Sequence, residues 1–363
     1  MKKLLLIITL GTFFIFSACQ TDDILEREED QNCNIIEITN HINEPTRWTA
    51  GNVYVIKDIN INIRSVLTIE PGVVVKLKGS RITVVDGVIL AKGTATNRIV
   101  FTSLADDSYC GDTNGDGIAT EPLKGDWQQI NLNGTNGTTF QYVDILYAGG
   151  NTGGFYNAVK ISGPNSAQFT FDNCVIAHTL SASASFFNNC AFYGGSAMID
   201  NEISVFTNNV FYDNGRPITV NAYYTLNTNN MFHNPIDPAE TNTGNGIYLT
   251  SSSSPNGAVV SWNVSEVPYV IDEWFQGSTQ TINIGAGAIV KFMSAGSGLS
   301  SSSSRVINIS SSAILTSYKD DANGGDTNGD GNASSPAVGD WKGVYNSSNN
   351  KYIQGANIKY AAN

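Results

Sequence analysis

"SVFTNNVFYDN", residues 204–214, has near-copies on both sides: "FTFDNCVIAH" (169–178), "SFFNNCAFYG" (185–194) and "TLNTNNMFHN" (225–234). Asn173, Asn189, Asn208 and Asn229 fall in one column, at spacings of 16, 19 and 21. Three residues on, Ile176, Phe192, Phe211 and Phe232 fall in a second column. A period of about 20 with one amide column and one large apolar column is the mark of a stacked solenoid. Strand alternation sends neighbouring columns to opposite faces, so the phenylalanines point inward. The next column, Ala177, Tyr193, Tyr212 and His233, then points outward. The Leu-x-x-Leu-x-Leu pattern of leucine-rich horseshoes is missing. The expected fold is all-β: a right-handed parallel β-helix, with Asn amides donating and accepting along the axis.

A longer repeat frames these short coils. "DDSYCGDTNGDGIATEPLKGDW" (106–127) and "DDANGGDTNGDGNASSPAVGDW" (320–341) align without a gap. "TIEPGVVVKL" (68–77) likewise answers "NIGAGAIVKF" (283–292), and "ILYAGG" (145–150) answers the closing "IKYAAN". The expected organisation is a signal peptide over 1–18, an acidic tether over 19–45 and a β-helix over 46–363. Within the β-helix, 54–147 and 269–363 are related copies and 165–235 holds the short coils. Because the last coil has no successor in this pattern, its strand edge is expected to be blunted or covered by a partner.

Each "GDTNGDG" run has the oxygen spacing of a calcium loop. Calcium takes six to eight oxygens, and an EF-type loop supplies them from positions one, three, five and seven. Here these are Asp112, Asn114, Asp116 and the Ile118 carbonyl, then Asp326, Asn328, Asp330 and the Asn332 carbonyl. Position twelve, a bidentate Glu in EF-hands, holds Leu123 or Ala337. The remaining oxygens are expected from Asp106 and Asp107, or Asp320 and Asp321, with Glu121 in the first copy alone. Two structural calcium ions are the expectation; a metal-free Asx turn is the alternative. Glu121 should make the first site the tighter one. Trp127 and Trp341, each after Gly-Asp, read as anchors pinning the loop to the body.

The formal net charge is −12, and between 141 and 270 the lysines and arginines number two, Lys160 and Arg216. Nucleic acid is therefore excluded as a partner, since phosphate binding needs clustered cations. "MKKLLLIITLGTFFIFSAC" (1–19) pairs two lysines with an apolar run too short for a stable span, then small residues before a cysteine. It resembles a lipoprotein signal, with Cys19 as the lipidated residue; an ordinary secretory signal cleaved near Ala18 is the alternative. Either way the mature chain leaves the cytoplasm for an oxidising compartment in which disulfides are allowed. Cys33, Cys110, Cys174 and Cys190 remain, with three connectivities if all pair. Cys174 and Cys190 read instead as stacked buried thiols.

The strings "WTAGNVYVIKD", "LTIEPGVVVKLKG", "AKGTATNRIVFTSLADD" and "GDTNGDG…GDW" together resemble the extracellular right-handed β-helix lipoproteins of the Bacteroidetes. The resemblance covers residues from about 46 onward. It implies fold and an outer-membrane, lipid-anchored, surface-exposed location, and it implies no particular chemistry. The acids after Cys19 also resemble the surface-export signal of that group.

Three function classes stay open. A uronate lyase needs basic groups, and the central coils offer Lys160 and Arg216 alone. A hydrolase needs paired carboxylates; Asp200 and Glu202 read as turn acids, with Asp213 nearby. His178 and His233 lack zinc spacing. The outward column of Tyr193, Tyr212 and His233 instead points to a binding face for sugar rings, or to aromatic cover over the sheet. A binding or adhesion scaffold for polysaccharide is the leading expectation, ahead of a polysaccharide-degrading enzyme and a structural stalk. Polysaccharide or another surface protein is the partner expected at the open last coil. Protease shaving of intact cells should release the protein, and Cys19→Ala should abolish its membrane retention; resistance until the outer membrane is opened would place it in the periplasm.

Overall fold

The computed structural model describes residues 33–133, 137–150, 157–162, 169–180, 184–185, 205–250, 257–276 and 280–362. Among these there is no helix, and nearly all the strand pairing is parallel. The architecture is all-β and solenoid-like. Sheet A orders Asn34–Glu37, Asn52–Lys57, Val74–Lys78, Ile99–Ser103, Val143–Leu146, Val175–Ala177 and Val210–Tyr212. Sheet B starts at Asn60–Ile63 and ends at Ile314–Ser317, and sheet C runs from Thr46–Trp48 to Val205–Thr207. Toward the C-terminus, sheet D stacks Ala258–Trp262, Gln280–Ile284 and Arg305–Ile309. Sheet E stacks Trp274–Phe275, Gly298–Ser301, Val344–Asn346 and Lys351–Tyr352.

Successive strands of the first copy visit A, B and C in rotation, so each strand lies beside the strand one circuit earlier. The alternation that creates this is plain in Val66–Ile69, where Leu67 and Ile69 are buried and Val66 is exposed. The inward residues form one continuous core from Ile42 to Ala361. Its middle is aromatic: Phe140 stacks on Phe171 at 4.8 Å and Phe211 on Phe232 at 5.6 Å. At the end of sheet A strands the chain turns through left-handed residues Tyr147, His178 and Asp213, with φ of 61°, 55° and 51°.

Three expectations change. First, the short coils are longer than a 16- or 19-residue step. Val175–Ala177 pairs directly with Val210–Tyr212, in the register Ile176↔Phe211. No other strand of sheet A lies between them; Asn189, Cys190, Phe192 and Tyr193 fall outside the described residues. Second, the buried amide ladder sits one residue beyond the predicted column. Asn209 accepts from the Cys174 N–H, 35 residues away, and donates to the Phe171 carbonyl, while Asn230 accepts from Asn209, 21 residues away. Asn208 and Asn229 meet too, but at the exposed surface. A second buried ladder, Thr179–Asn214–Asn242, closes the other end of the same strands. Third, the sheet begins before residue 46: Asn34–Glu37 is already paired, and Cys33 is joined to Cys110. Cys174 is a buried free thiol whose pKa burial pushes up to about 12.

The two related copies occupy different sides of the body. Val74–Lys78 lies in sheet A, whereas its counterpart Ile289–Phe292 lies in sheet B. Val88–Lys92 lies in sheet C, and its counterpart Arg305–Ile309 in sheet D. The second copy is thus set one side round, and its insertion rises from sheet B instead of sheet A.

Phe211 is wholly buried, and Tyr212 beside it is half-buried on the outer face. Phe211→Ala should cost about 3–5 kcal/mol through the cavity it leaves, and Tyr212→Ala far less, as read by chemical denaturation. Equal losses would contradict the assignment of inward and outward columns.

Candidate functional site

Each insertion is held at three levels, and both copies are built alike. At the neck, Asp126 Oδ2 accepts from the Ser103 hydroxyl (2.6 Å) and the Leu123 N–H (2.9 Å). Asp340 Oδ2 does the same with Ser317 (2.6 Å) and Ala337 (2.9 Å). The expected tryptophan anchors follow. Trp127 and Trp341 are fully buried, and their indole N–H groups donate to the carbonyls of Leu146 (2.7 Å) and Lys359 (2.8 Å).

At the tip, the Asp112 carboxylate accepts from the N–H groups of Gly115 (2.7 Å), Asp116 (3.1 Å) and Gly117 (2.7 Å). Asp326 accepts from Asp330 (3.1 Å) and Gly331 (2.7 Å). Gly117 and Gly331 have φ near +70°, the left-handed turn that favours glycine. Asn114 and Asn328 each donate to the neighbouring Asp116 or Asp330, which also accepts from the Thr120 or Ser334 hydroxyl. Ile118 and Asn332, whose carbonyls are the expected ligands, have exposed side chains.

Beneath each tip lies a buried lysine. Lys76 Nζ donates to the Gly111 carbonyl (2.8 Å) and Thr113 hydroxyl (2.7 Å), and Lys291 to Gly325 (2.6 Å) and Thr327 (2.9 Å). Burial lowers the pKa of both, Lys291 to about 8, against the opposing pull of the nearby aspartates. Sequence reasoning missed these lysines, although "VVVKL" and "AIVKF" repeat a cation inside an apolar strand.

The oxygens left over decide what the loops can hold. Asp107 Oδ1 and Asp116 Oδ1 in the first loop, and Asp321 Oδ1 and Asn328 Oδ1 in the second, are shut from solvent without a hydrogen-bond partner. Asp107 and Asp321 have raised pKa values, from burial first and then from neighbouring aspartates. Buried acceptors without donors are costly unless a cation satisfies them. In the second loop Asp321, Asp326 and Asp330 bring oxygens within 4.8 Å of one another. All-oxygen donors with uncompensated charge fit a hard divalent ion such as calcium.

Two further expected ligands, Asp106 and Asp320, are hydrogen-bonded at the base of each insertion. Asp106 accepts from Thr102 and from the Ser108 N–H, and Asp320 from Thr316 (2.5 Å) and Asn323 (2.7 Å). These carboxylates brace the start of each insertion. Glu121 is exposed and is not among the acids that raise Asp107, so it gives no reason for the first site to be the tighter.

The first insertion carries a feature that the second lacks. The Cys33–Cys110 disulfide ties it to Asn34–Glu37, whereas Gly324 stands at the second copy's equivalent position. Between that strand and the loop lies a cleft of about 790 Å³. Ile35, Val55 and Leu104 give it apolar surface, and Glu37, Lys57 and Glu121 line it with charge.

Of the expected outward column, Ala177 and Tyr212 pair in register, and neither Tyr212 nor His233 stands free. Tyr212 pairs with Ala177, lies edge-on to His178 at 5.2 Å, and packs on the same Val100–Leu146–Ala177 cluster as Tyr109 of the first insertion and Tyr147. His233 Nδ1 meets Glu266 at 2.7 Å. Tyr193 lies outside the described residues, as do Cys19, Asp200 and Glu202. The structure instead gathers His178, stacked on Tyr147 at 5.2 Å, with Asp213 at 2.8 Å, whose other oxygen meets Lys124 at 2.5 Å. Glu240 completes a possible cation-binding triad with His178 and Asp213. The three sheet A circuits that supply it end in Tyr147, His178 and Asp213, a common offset visible in "ILY", "IAH" and "FYD". Burial pushes the Tyr109 and Tyr147 phenols up to about 12.

Compared with protein-family models, curated proteins and solved structures, the chain matches none. Asp126→Ala removes both neck bonds and should make the first insertion cleavable by limited proteolysis, with about 1–3 kcal/mol lost. An unchanged cleavage pattern would mean the tryptophan and disulfide alone hold it.

Proposed function

We propose that this protein is a cell-surface lipoprotein on a right-handed parallel β-helix, acting as a binding scaffold with glycans as its ligand class. The observation that carries the reading is the cleft walled by the first insertion and the disulfide-tied N-terminal strand. Its mixture of charged, hydroxyl and amide groups with small apolar surfaces suits a polyhydroxylated ligand. Structural calcium at both tips would neutralise the unpartnered aspartate oxygens and fix the wall of the cleft. Asp107, Asp112, Asn114 and Asp116 would hold the first ion; Asp321, Asp326, Asn328 and Asp330 the second. Lipidation at Cys19 would anchor the scaffold to the outer membrane.

One arrangement favours the second reading, a polysaccharide-cleaving enzyme. The His178–Asp213 pair, flanked by Lys124, Tyr147 and Tyr212, combines a proton acceptor, a cation and phenols on one outer face. Reducing-sugar and unsaturated-uronate assays on the soluble 20–363 fragment separate the readings, and turnover abolished by His178→Ala would establish the enzyme.

Calorimetric titration of chelator-treated protein should show two calcium sites, reduced to one by Asp116→Ala with the fold intact. Glycan-array binding should be lost in Asp116→Ala and kept in Asp330→Ala, because only the first loop walls the cleft. A flat titration would remove the calcium, and equal glycan binding by both variants would remove the cleft.

A further inference from the structure

Arg305–Ile309 is the last strand of sheet D, and among the described residues nothing pairs with its outer edge. Its inner edge is defined by the Gln280 N–H donating to the Ser304 carbonyl and the Ser310 N–H to the Ile284 carbonyl. In a parallel ladder this turns the even-numbered backbone groups inward to Gln280–Ile284. The odd-numbered groups face out. Arg305 satisfies its own through Ser301 and Ser302, leaving the N–H and C=O of Ile307 and Ile309 facing the gap.

The first copy contains the same edge filled. Val88–Lys92, the counterpart of Arg305–Ile309, receives Thr138–Gln141 in parallel, as Thr139↔Leu90, Phe140↔Ala91 and Gln141↔Lys92. Ile89 and Gly93, on the outward-facing set, donate to Thr138 and Gln141. Counting back from the matched Tyr147 and Tyr360, the segment equivalent to Thr138–Gln141 is 351–354. It does not take that place. It folds back antiparallel on Val344–Asn346, as Tyr345↔Tyr352 and Asn346↔Lys351, and the Ile353 N–H donates to Val344. The chain then rejoins the first copy's course at Leu315↔Ile358 and Trp341↔Ala361. The fold-back blunts sheet E and leaves sheet D one strand short.

We propose that the Arg305–Ile309 edge is a strand-acceptor site for an extended segment of a partner polypeptide, added in parallel. This deepens the expectation of a protein partner at the last coil and is independent of the glycan and calcium readings. The filled edge of the first copy defines the partner's chemistry. A small polar residue lies at the Ile307 level, a large apolar one at the Ile309 level, as Phe140 lies on Ala91, and an unblocked N–H follows. Val306, 39% exposed, offers apolar surface on the outer face. Strand addition supplies the main-chain bonds, and the apolar step supplies the register.

Amide exchange at Ile307 and Ile309 in the full chain tests this, with the heptapeptide GTTFQYV, the sequence of residues 137–143, as probe. Both amides should exchange freely alone and at least about tenfold more slowly with millimolar peptide. GTTFPYV, which lacks the N–H equivalent to Gln141, should give no protection. Ile309→Pro should abolish the effect of GTTFQYV; among the described residues that N–H has no partner to lose, so any fall in melting temperature reflects only the Ile309 side chain packed against the core. Protection before peptide is added would overturn the proposal: independent of protein concentration, it would mean 351–354 occupies the edge; rising with concentration, a second copy does. Free exchange at millimolar GTTFQYV would overturn it as well.

Discussion

The constraint on which everything else rests is that each strand must sit on its own counterpart one circuit away. Parallel pairing satisfies the backbone only if neighbouring circuits keep the same register, and a one-residue slip would turn the whole apolar set outward. Ile176 over Phe211, and Phe211 against Phe232, hold that register from the inside. The buried amides of Asn209, Asn230, Asn214 and Asn242 hold it at the corners, where the ladder would otherwise end in unpaired groups. Because the circuits are locked at these points, their length elsewhere is free to change. Insertions can leave at a corner and return without disturbing the core.

The two long insertions use that freedom in the same way. A buried lysine from the strand below supports each tip, an aspartate clasps each neck, and a tryptophan enters the core behind it. Charge at the tips exceeds what the lysine offsets, which is why buried aspartate oxygens remain without partners. The duplication copied the device intact but set it on another side. There the second loop packs on sheet B, where the Tyr318 hydroxyl donates to the Thr327 carbonyl at 2.9 Å and lies 2.9 Å from that of Tyr248. The first loop carries a disulfide where the second has Gly324, and a cleft lies between that loop and the tied strand.

Much of this was legible in the sequence because periodicity records strand alternation directly. The inward column through Phe211 and Phe232, the tryptophan anchors and the loop oxygens all follow from residue type and spacing. The coil length did not: Asn173 and Asn189 match by type, yet the circuit from Cys174 to Asn209 is 35 residues long. Residue type records that two segments are alike; it does not record which strands pair, and the pairing here is Ile176 with Phe211. The roles of Asp106 and Asp320 were likewise hidden, since a brace and a ligand use the same carboxylate. The His178–Asp213–Lys124 group joins residues far apart in sequence, so only the register of sheet A brings them together.

The central claim is that the paired tips are cation sites supported from below by Lys76 and Lys291. Anomalous diffraction from crystals grown in calcium measures it most directly. The account predicts two peaks, one among Asp107, Asp112 and Asp116 and one among Asp321, Asp326 and Asp330, each with the lysine ammonium still on its loop carbonyl. Electron density for ordered loops with no anomalous signal at either tip would contradict it.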